Sequence, residues 1–143
     1  MDPHELSWIT EHVAITNFFS AHDKELLARN KVKAILCLDR YVLGEGSENR
    51  GVESIQLFHL NDGANPLPDF VEAVETLEKL IAKFNRVVVH CRASRSRSVA
   101  VVAAYITKVH NVSAGSALAV VRAKRDSSVA AELVRLVERF VDI

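Results

Sequence analysis

Only two cysteines occur among the 143 residues, which is too few for a disulfide framework, and a chain of this length needs none. Cys37 and Cys91 therefore each require a separate explanation, as a reactive thiol or a merely buried one. Long apolar runs are also missing. The longest, Val99 to Ile106, falls far short of the roughly 20 residues that cross a bilayer. The opening Met1-Asp2-Pro3-His4-Glu5 carries neither a basic nor an apolar leader region. Internal repeats and low-complexity linkers are absent, and His12, His59 and His110 show no metal-ligand spacing with either cysteine. The expectation is a cytoplasmic, monomeric protein of one domain spanning residues 1–143, with no membrane segment, DNA partner, metal or cofactor. A hydrophobic content of 49% and a charged content of 25% suit a single core of that size.

Net charge is zero, but acid is unevenly spread: no Asp or Glu occurs between Arg86 and Arg125, whereas 14 of the 18 acidic residues precede that stretch. It carries Arg86, Arg92, Arg95, Arg97, Lys108, Arg122, Lys124 and Arg125. A locally positive field favours an anionic ligand. For Lys108, Arg122, Lys124 and Arg125 a solvated basic face is the expected reading.

Apolar patterning supplies the elements. His12 to Thr16, Lys31 to Leu38, Val52 to Leu60 and Arg86 to His90 read as strands, the last carrying three successive valines. Ser20-Ala-His-Asp23 reads as a capping box opening a helix through Arg29. Phe70, Val71, Val74, Leu77, Leu80, Ile81 and Phe84 recur at helical spacing opposite Glu72, Glu75 and Glu78. Further helices are expected over residues 97–110, 113–125 and 128–141. The stretches Gly44 to Gly51 and Asn61 to Pro68 read as loops. Strands alternating with helices, then a helical final third, imply an α/β fold with helices packed on the sheet.

The chemistry concentrates in His90-Cys91-Arg92-Ala93-Ser94-Arg95-Ser96-Arg97-Ser98. A cysteine ends a buried strand, and an arginine six residues later opens a helix. A loop of that length can turn its backbone N–H groups inward as an anion nest beside the helix N-terminus. Arg97 closes such a cradle with a bidentate fork. Donors that bind phosphate also stabilise a thiolate, and the Ser98 hydroxyl can donate toward the sulfur when it leaves.

This segment resembles the signature of the dual-specificity phosphatases, a branch of the cysteine-dependent protein tyrosine phosphatases: His-Cys, five residues, Arg, then Ser or Thr. The flanks Ser7-Trp-Ile-Thr-Glu-His-Val-Ala-Ile-Thr-Asn-Phe, Ala104-Tyr-Ile-Thr-Lys and Ala117-Leu-Ala-Val-Val-Arg-Ala-Lys-Arg resemble the family's usual opening and close. The resemblance implies a central mixed sheet of four to five strands with helices on both faces. It implies Cys91 as nucleophile, Arg97 and the loop residues Arg92, Ala93, Ser94, Arg95 and Ser96 as the phosphate cradle, and Ser98 as an aid to the leaving thiolate. His90 becomes a hydrogen-bonded spacer under the loop. Asp62, ahead of the amphipathic helix, takes the place of the general acid, while Asp69 suits the first turn of that helix, where a carboxylate offsets the dipole. Arg92 and Arg95 should face the rim. Cys37, on a neighbouring strand, reads as a small core residue, with a second reading as a thiol that captures oxidised Cys91.

The implied substrate is a phosphorylated protein, on phosphotyrosine and also on phosphoserine or phosphothreonine, with phosphoinositides and RNA 5′-phosphates as alternatives. One place departs from the signature. Ser94 stands where the family carries glycine, and a non-glycine residue in a sparsely populated backbone region costs about 1–3 kcal/mol. A phosphate-binding module with weakened turnover is therefore the second functional reading.

Overall fold

A computed structural model describes residues 5–42, 51–92 and 96–143. Most of the loop expected at 44–51, and the cradle residues Ala93, Ser94 and Arg95, lie outside the described residues.

Among the described residues, five strands form one sheet: β1 (Ser7–Trp8), β2 (Val13–Thr16), β3 (Ala34–Cys37), β4 (Ser54–Leu57) and β5 (Val87–His90). Their order is β1-β2-β5-β3-β4. Only β1 runs antiparallel; β2, β3, β4 and β5 pair in parallel. Every residue of β2, β3 and β5 is buried. Apolar runs of this kind belong to parallel strands covered on both faces, which is why they do not alternate.

One face is covered by α1 (Lys24–Arg29), where Leu27 packs against Ala14, Ile35 and Val88. The other face holds the larger core beneath α2 (Leu67–Phe84), α3 (Arg97–His110), α4 (Ala114–Lys124) and α5 (Ala131–Val141). The mixed sheet with helices on both faces is the architecture expected from the sequence. Helix α2 buries Phe70, Ala73, Val74, Leu77 and Leu80, a stripe at helical spacing. It starts earlier than expected because Pro68 fits the first turn, where no N–H partner is needed. Left-handed residues, Asn85 at φ 68° and Asn111 at φ 53°, end α2 and α3. Helix α3 is buried continuously from Arg97 to Thr107, and its small residues let it lie close to the sheet.

Three local expectations are corrected. Asp23, not Ser20, caps α1, accepting from the Leu26 N–H at 3.1 Å; Ser20 opens a short 3-10 turn whose first amide is taken by Asn17. Strand β1 was not foreseen, since two residues carry no readable period. Lys124 and Arg125 are not merely solvated: Lys124 donates to the Ile9 carbonyl (3.0 Å) and Arg125 to the Ser7 hydroxyl (3.0 Å), tying the end of α4 to the β1 edge.

The register aligns Thr16, His90, Cys37 and Leu57 across the sheet. The segments that follow β2, β3, β4 and β5 therefore leave from one edge. In a parallel sheet this carboxyl edge is where ligands bind.

Candidate active site

Cys91 follows the central strand β5 and is 2% exposed, packed with the core beneath α2 to α5. His90 precedes it, fully buried, and its Nδ1 donates to the Cys91 carbonyl at 3.2 Å. The His90 ring stands edge-on to His22 at 6.2 Å. Cys37 lies opposite His90 in the β3–β5 pairing, its Sγ–H donating to the Asp39 carbonyl at 3.2 Å, and neither cysteine is in a disulfide.

On the far side of the loop, Ser96, Arg97 and Ser98 open α3, and all three are buried. Ser96 does not cap the helix with its side chain; its Oγ accepts from the Ala130 N–H at 3.0 Å, joining the loop to the start of α5. Arg97 donates from Nη1 to the Leu60 carbonyl at 3.1 Å and from Nη2 to Asp39 Oδ2 at 3.1 Å. Its Nε–H, on the edge shared with Nη2, is buried without a partner, and so is the Ser98 hydroxyl. A buried donor without an acceptor costs about 1–3 kcal/mol. Both lie in the first turn of α3, where main-chain N–H groups also lack intrahelical partners.

Asp39 was not singled out by the sequence. Its carboxylate, 3% exposed, faces Arg97 and, at 3.4 Å, the Nε of Arg92, while Oδ1 accepts the Tyr41 N–H at 2.8 Å. Burial pushes its pKa up, but the Tyr41 N–H, Arg97 and Arg92 outweigh that and hold it below the usual carboxylate value. Asp39 thus holds the Arg97 guanidinium through Nη2, while Nε is left without a partner. The signal was present as a carboxylate after the apolar run Ala34 to Leu38, but it points at the site only once β3 is known to lie beside β5.

Pairing continues past β4, because the Leu60 N–H donates to the Leu38 carbonyl at 3.0 Å. This brings Leu60 beside Asp39 and Arg97. The next turn is tied by Asn65, whose Oδ1 accepts the Asn61 N–H (2.8 Å) and whose Nδ2 donates to the Asn61 (2.9 Å) and Gly63 (3.2 Å) carbonyls. Asp62 sits exposed inside that clamp, two residues from the carbonyl that Arg97 holds. Asp69 lies in the first turn of α2, the setting expected for it. Arg92 has a side chain 62% exposed, its Nε beside Asp39 Oδ2. Of the other basic residues in the acid-free stretch, Arg86 lies at the opposite end of the sheet, stacked 3.7 Å over Trp8, and Lys108 pairs with Glu78 at 2.9 Å.

Comparison with known proteins agrees with this arrangement. Residues 15–138 match the family model of the dual specificity phosphatase catalytic domain. Rat dual specificity protein phosphatase 18 is 30% identical over 127 residues, covering 84% of this chain. The chain spans 58% of that relative's length. Human DUSP28 superimposes with a TM-score of 0.83 at 19% identity, covering 99% of this chain and 95% of the other. PTPMT1 in complex with PI(5)P superimposes with a TM-score of 0.74 at 22% identity, covering 94% and 92%. Signature, fold and family model coincide, and the chain belongs to the dual specificity phosphatase catalytic-domain family.

Proposed function

We propose that residues 1–143 form one catalytic domain that hydrolyses phosphate monoesters of proteins, on phosphotyrosine and on phosphoserine or phosphothreonine, through a phosphocysteine at Cys91. The observation that carries this reading is the pair of buried, unpartnered donors, Arg97 Nε and Ser98 Oγ, in the first turn of the helix that follows the Cys91 segment.

In the first step the Cys91 thiolate attacks phosphorus. An S–P bond forms, the ester P–O bond breaks, and Asp62 gives its proton to the departing oxygen. In the second step the Asp62 carboxylate takes a proton from water, whose oxygen attacks phosphorus. The S–P bond breaks, and inorganic phosphate and the thiolate are released, with the Ser98 hydroxyl donating to the sulfur. Arg97, with the N–H groups of the loop from Arg92 to Ser96, neutralises the equatorial oxygens in both steps. A positioned acid is typically worth about 10²–10⁴ in rate.

Two buried cysteines outside any disulfide fit a reducing, cytoplasmic setting, and among the described residues no helix is long and apolar enough to cross a membrane. The test is a panel of phosphotyrosine, phosphoserine and phosphothreonine peptides beside phosphoinositides and RNA 5′-phosphates at neutral pH, with Asp62→Asn in parallel. Turnover of the peptides above the other two classes supports the reading. Turnover restricted to lipid or RNA overturns the substrate class, and tight phosphate binding without any turnover makes the protein a binding module.

A further inference from the structure

Away from the phosphate loop, α2, α3 and α5 border a cleft that the two-step reaction does not use. Its volume is about 390 Å³, in the range that holds a ligand. Val112 and Phe140 line it and pack against the main core, with the Phe140 ring edge-on to buried Phe70 at 6.3 Å. Val71, Val141 and Ile143 complete the apolar lining. Val141 is 43% and Ile143 74% exposed, so the cleft is open on that side.

Two charged side chains belong to this lining, and they are not equivalent. Lys108 Nζ is taken by Glu78 Oε1 at 2.9 Å. Glu75, exposed and one turn along α2 from Val71, pairs with no cation among the described residues. The charge left to be answered is negative. A cationic group beside apolar side chains is therefore what the cleft complements. Small-molecule pockets bury most of their ligand, whereas this cleft is open along one side, which suits a stretch of polypeptide that lays apolar side chains into it.

Helix α5 relates the cleft to the reaction. Its start is held at the phosphate loop by the 3.0 Å bond from the Ala130 N–H to Ser96 Oγ, and its 11 residues carry the chain ~16 Å to the cleft. A flexible linker of ~10 residues has a root-mean-square span of about 17 Å, which reaches from one to the other.

We propose that this cleft docks a basic and apolar segment of the protein substrate, with leucine-like side chains interleaved with lysine or arginine, about ten residues from the phosphorylated side chain. The inference rests on the proposed phosphatase reaction and adds a second point of substrate contact to it. Apolar side chains cover Val112, Phe140 and Val141, and the cation meets Glu75. Docking raises the effective concentration of the phosphate at the cradle, which lowers KM and leaves the chemical step unchanged.

The experiment joins one phosphotyrosine peptide, through a Gly-Ser linker of about ten residues, to Leu-Lys-Leu-Lys, to Leu-Glu-Leu-Glu, to Ser-Lys-Ser-Lys or to no tail. Values of kcat/KM are compared in wild type, Glu75→Lys and Val141→Ser, as ratios within one preparation, which do not depend on how much of it is folded. Wild type should favour the Leu-Lys tail over no tail about tenfold, through KM, and gain nothing from Leu-Glu. Val141→Ser should reduce that preference about threefold. Glu75→Lys should abolish it and favour Leu-Glu instead. No preference in wild type, a preference unchanged in both variants, or an equal gain from Ser-Lys-Ser-Lys overturns the docking site. Hydrolysis of p-nitrophenyl phosphate, which carries no tail, should be the same in all three proteins, and a wild type inactive on it contradicts the proposed reaction. Fluorescence anisotropy of the labelled, unphosphorylated Leu-Lys segment tests the cleft apart from that reaction. Saturable binding that Glu75→Lys weakens supports it, and no saturable binding up to about 1 mM overturns it.

Discussion

Arg97 and Leu60 are joined by a 3.1 Å hydrogen bond from guanidinium to main-chain carbonyl, across 37 positions of sequence. In the proposed mechanism, the side chain that grips phosphate therefore also fixes the stem of the loop that carries the acid. Phosphate site and acid are set at a mutual distance by the same contact, and the Asn65 clamp sets the loop's shape beyond it. Preorganisation of this kind is worth most when the developing charge must be met without rearrangement.

The Asn65 side chain makes three hydrogen bonds that hold the Asp62 turn. Asn65→Ala should lower kcat about tenfold on an alkyl phosphate, which needs the acid, and much less on p-nitrophenyl phosphate, whose leaving group departs unaided. Steady-state kinetics on the two esters checks this. Equal losses on both would assign Asn65 to stability alone.

Asp39→Asn removes the buried charge that Arg97 and Arg92 share, and should destabilise the protein by about 3 kcal/mol at neutral pH, measurable by urea unfolding. Its folded pKa is held below the usual 3.8. The stabilisation is therefore fully present above that value and is lost as pH falls through the lowered one. The stability gap between wild type and Asp39→Asn should be constant from pH 5 to 7 and shrink in stronger acid. Because the guanidinium is also less well aimed, kcat/KM should fall about tenfold.

Cys37 pairs with His90, the residue before Cys91, which puts the two thiols one position apart along neighbouring strands. Mild peroxide should inactivate the enzyme by converting the Cys91 thiolate to the sulfenic acid, which a thiol reductant restores. If Cys37 is the resolving thiol, its sulfur displaces hydroxide from that sulfenic acid and mass spectrometry finds a Cys37–Cys91 disulfide. Overoxidised Cys91 beside free Cys37 at low peroxide would leave Cys37 a core residue.

How much the sequence revealed depended on how local each feature is. Helix α3 runs from Arg97 to His110 as the pattern predicted, because its start is fixed by the loop chemistry and its end by Asn111, both readable in place. Cap assignment failed at Ser20 because two competent caps lie three residues apart, and the choice was made by Asn17 taking the Ser20 amide. Asp39 and the Leu60 carbonyl were not legible at all. Their roles depend on β5 lying between β2 and β3, a non-local pairing that no spacing along the chain encodes. The same holds for the Lys124 and Arg125 contacts to the β1 edge, which join positions more than 100 residues apart.

Ser94, the one departure from the signature, gives a prediction from sequence. Ser94→Gly should raise kcat/KM by freeing the loop backbone, while thermal stability stays level or falls, since glycine loses about 0.5–1 kcal/mol more conformational freedom on folding. Unchanged or poorer catalysis beside brisk wild-type turnover would mean that serine suits this loop.

The central claim is the covalent step at Cys91, and acid quenching during turnover of p-nitrophenyl phosphate tests it most directly. Asp62→Asn should be used, since loss of the base slows the second step while the good leaving group lets the first proceed. Mass spectrometry of the digested protein should then find one phosphoryl group on the peptide that contains Cys91, and Cys91→Ser should show neither the adduct nor product release. Continued phosphate release with Cys91 unmodified, or by Cys91→Ser, would contradict the mechanism.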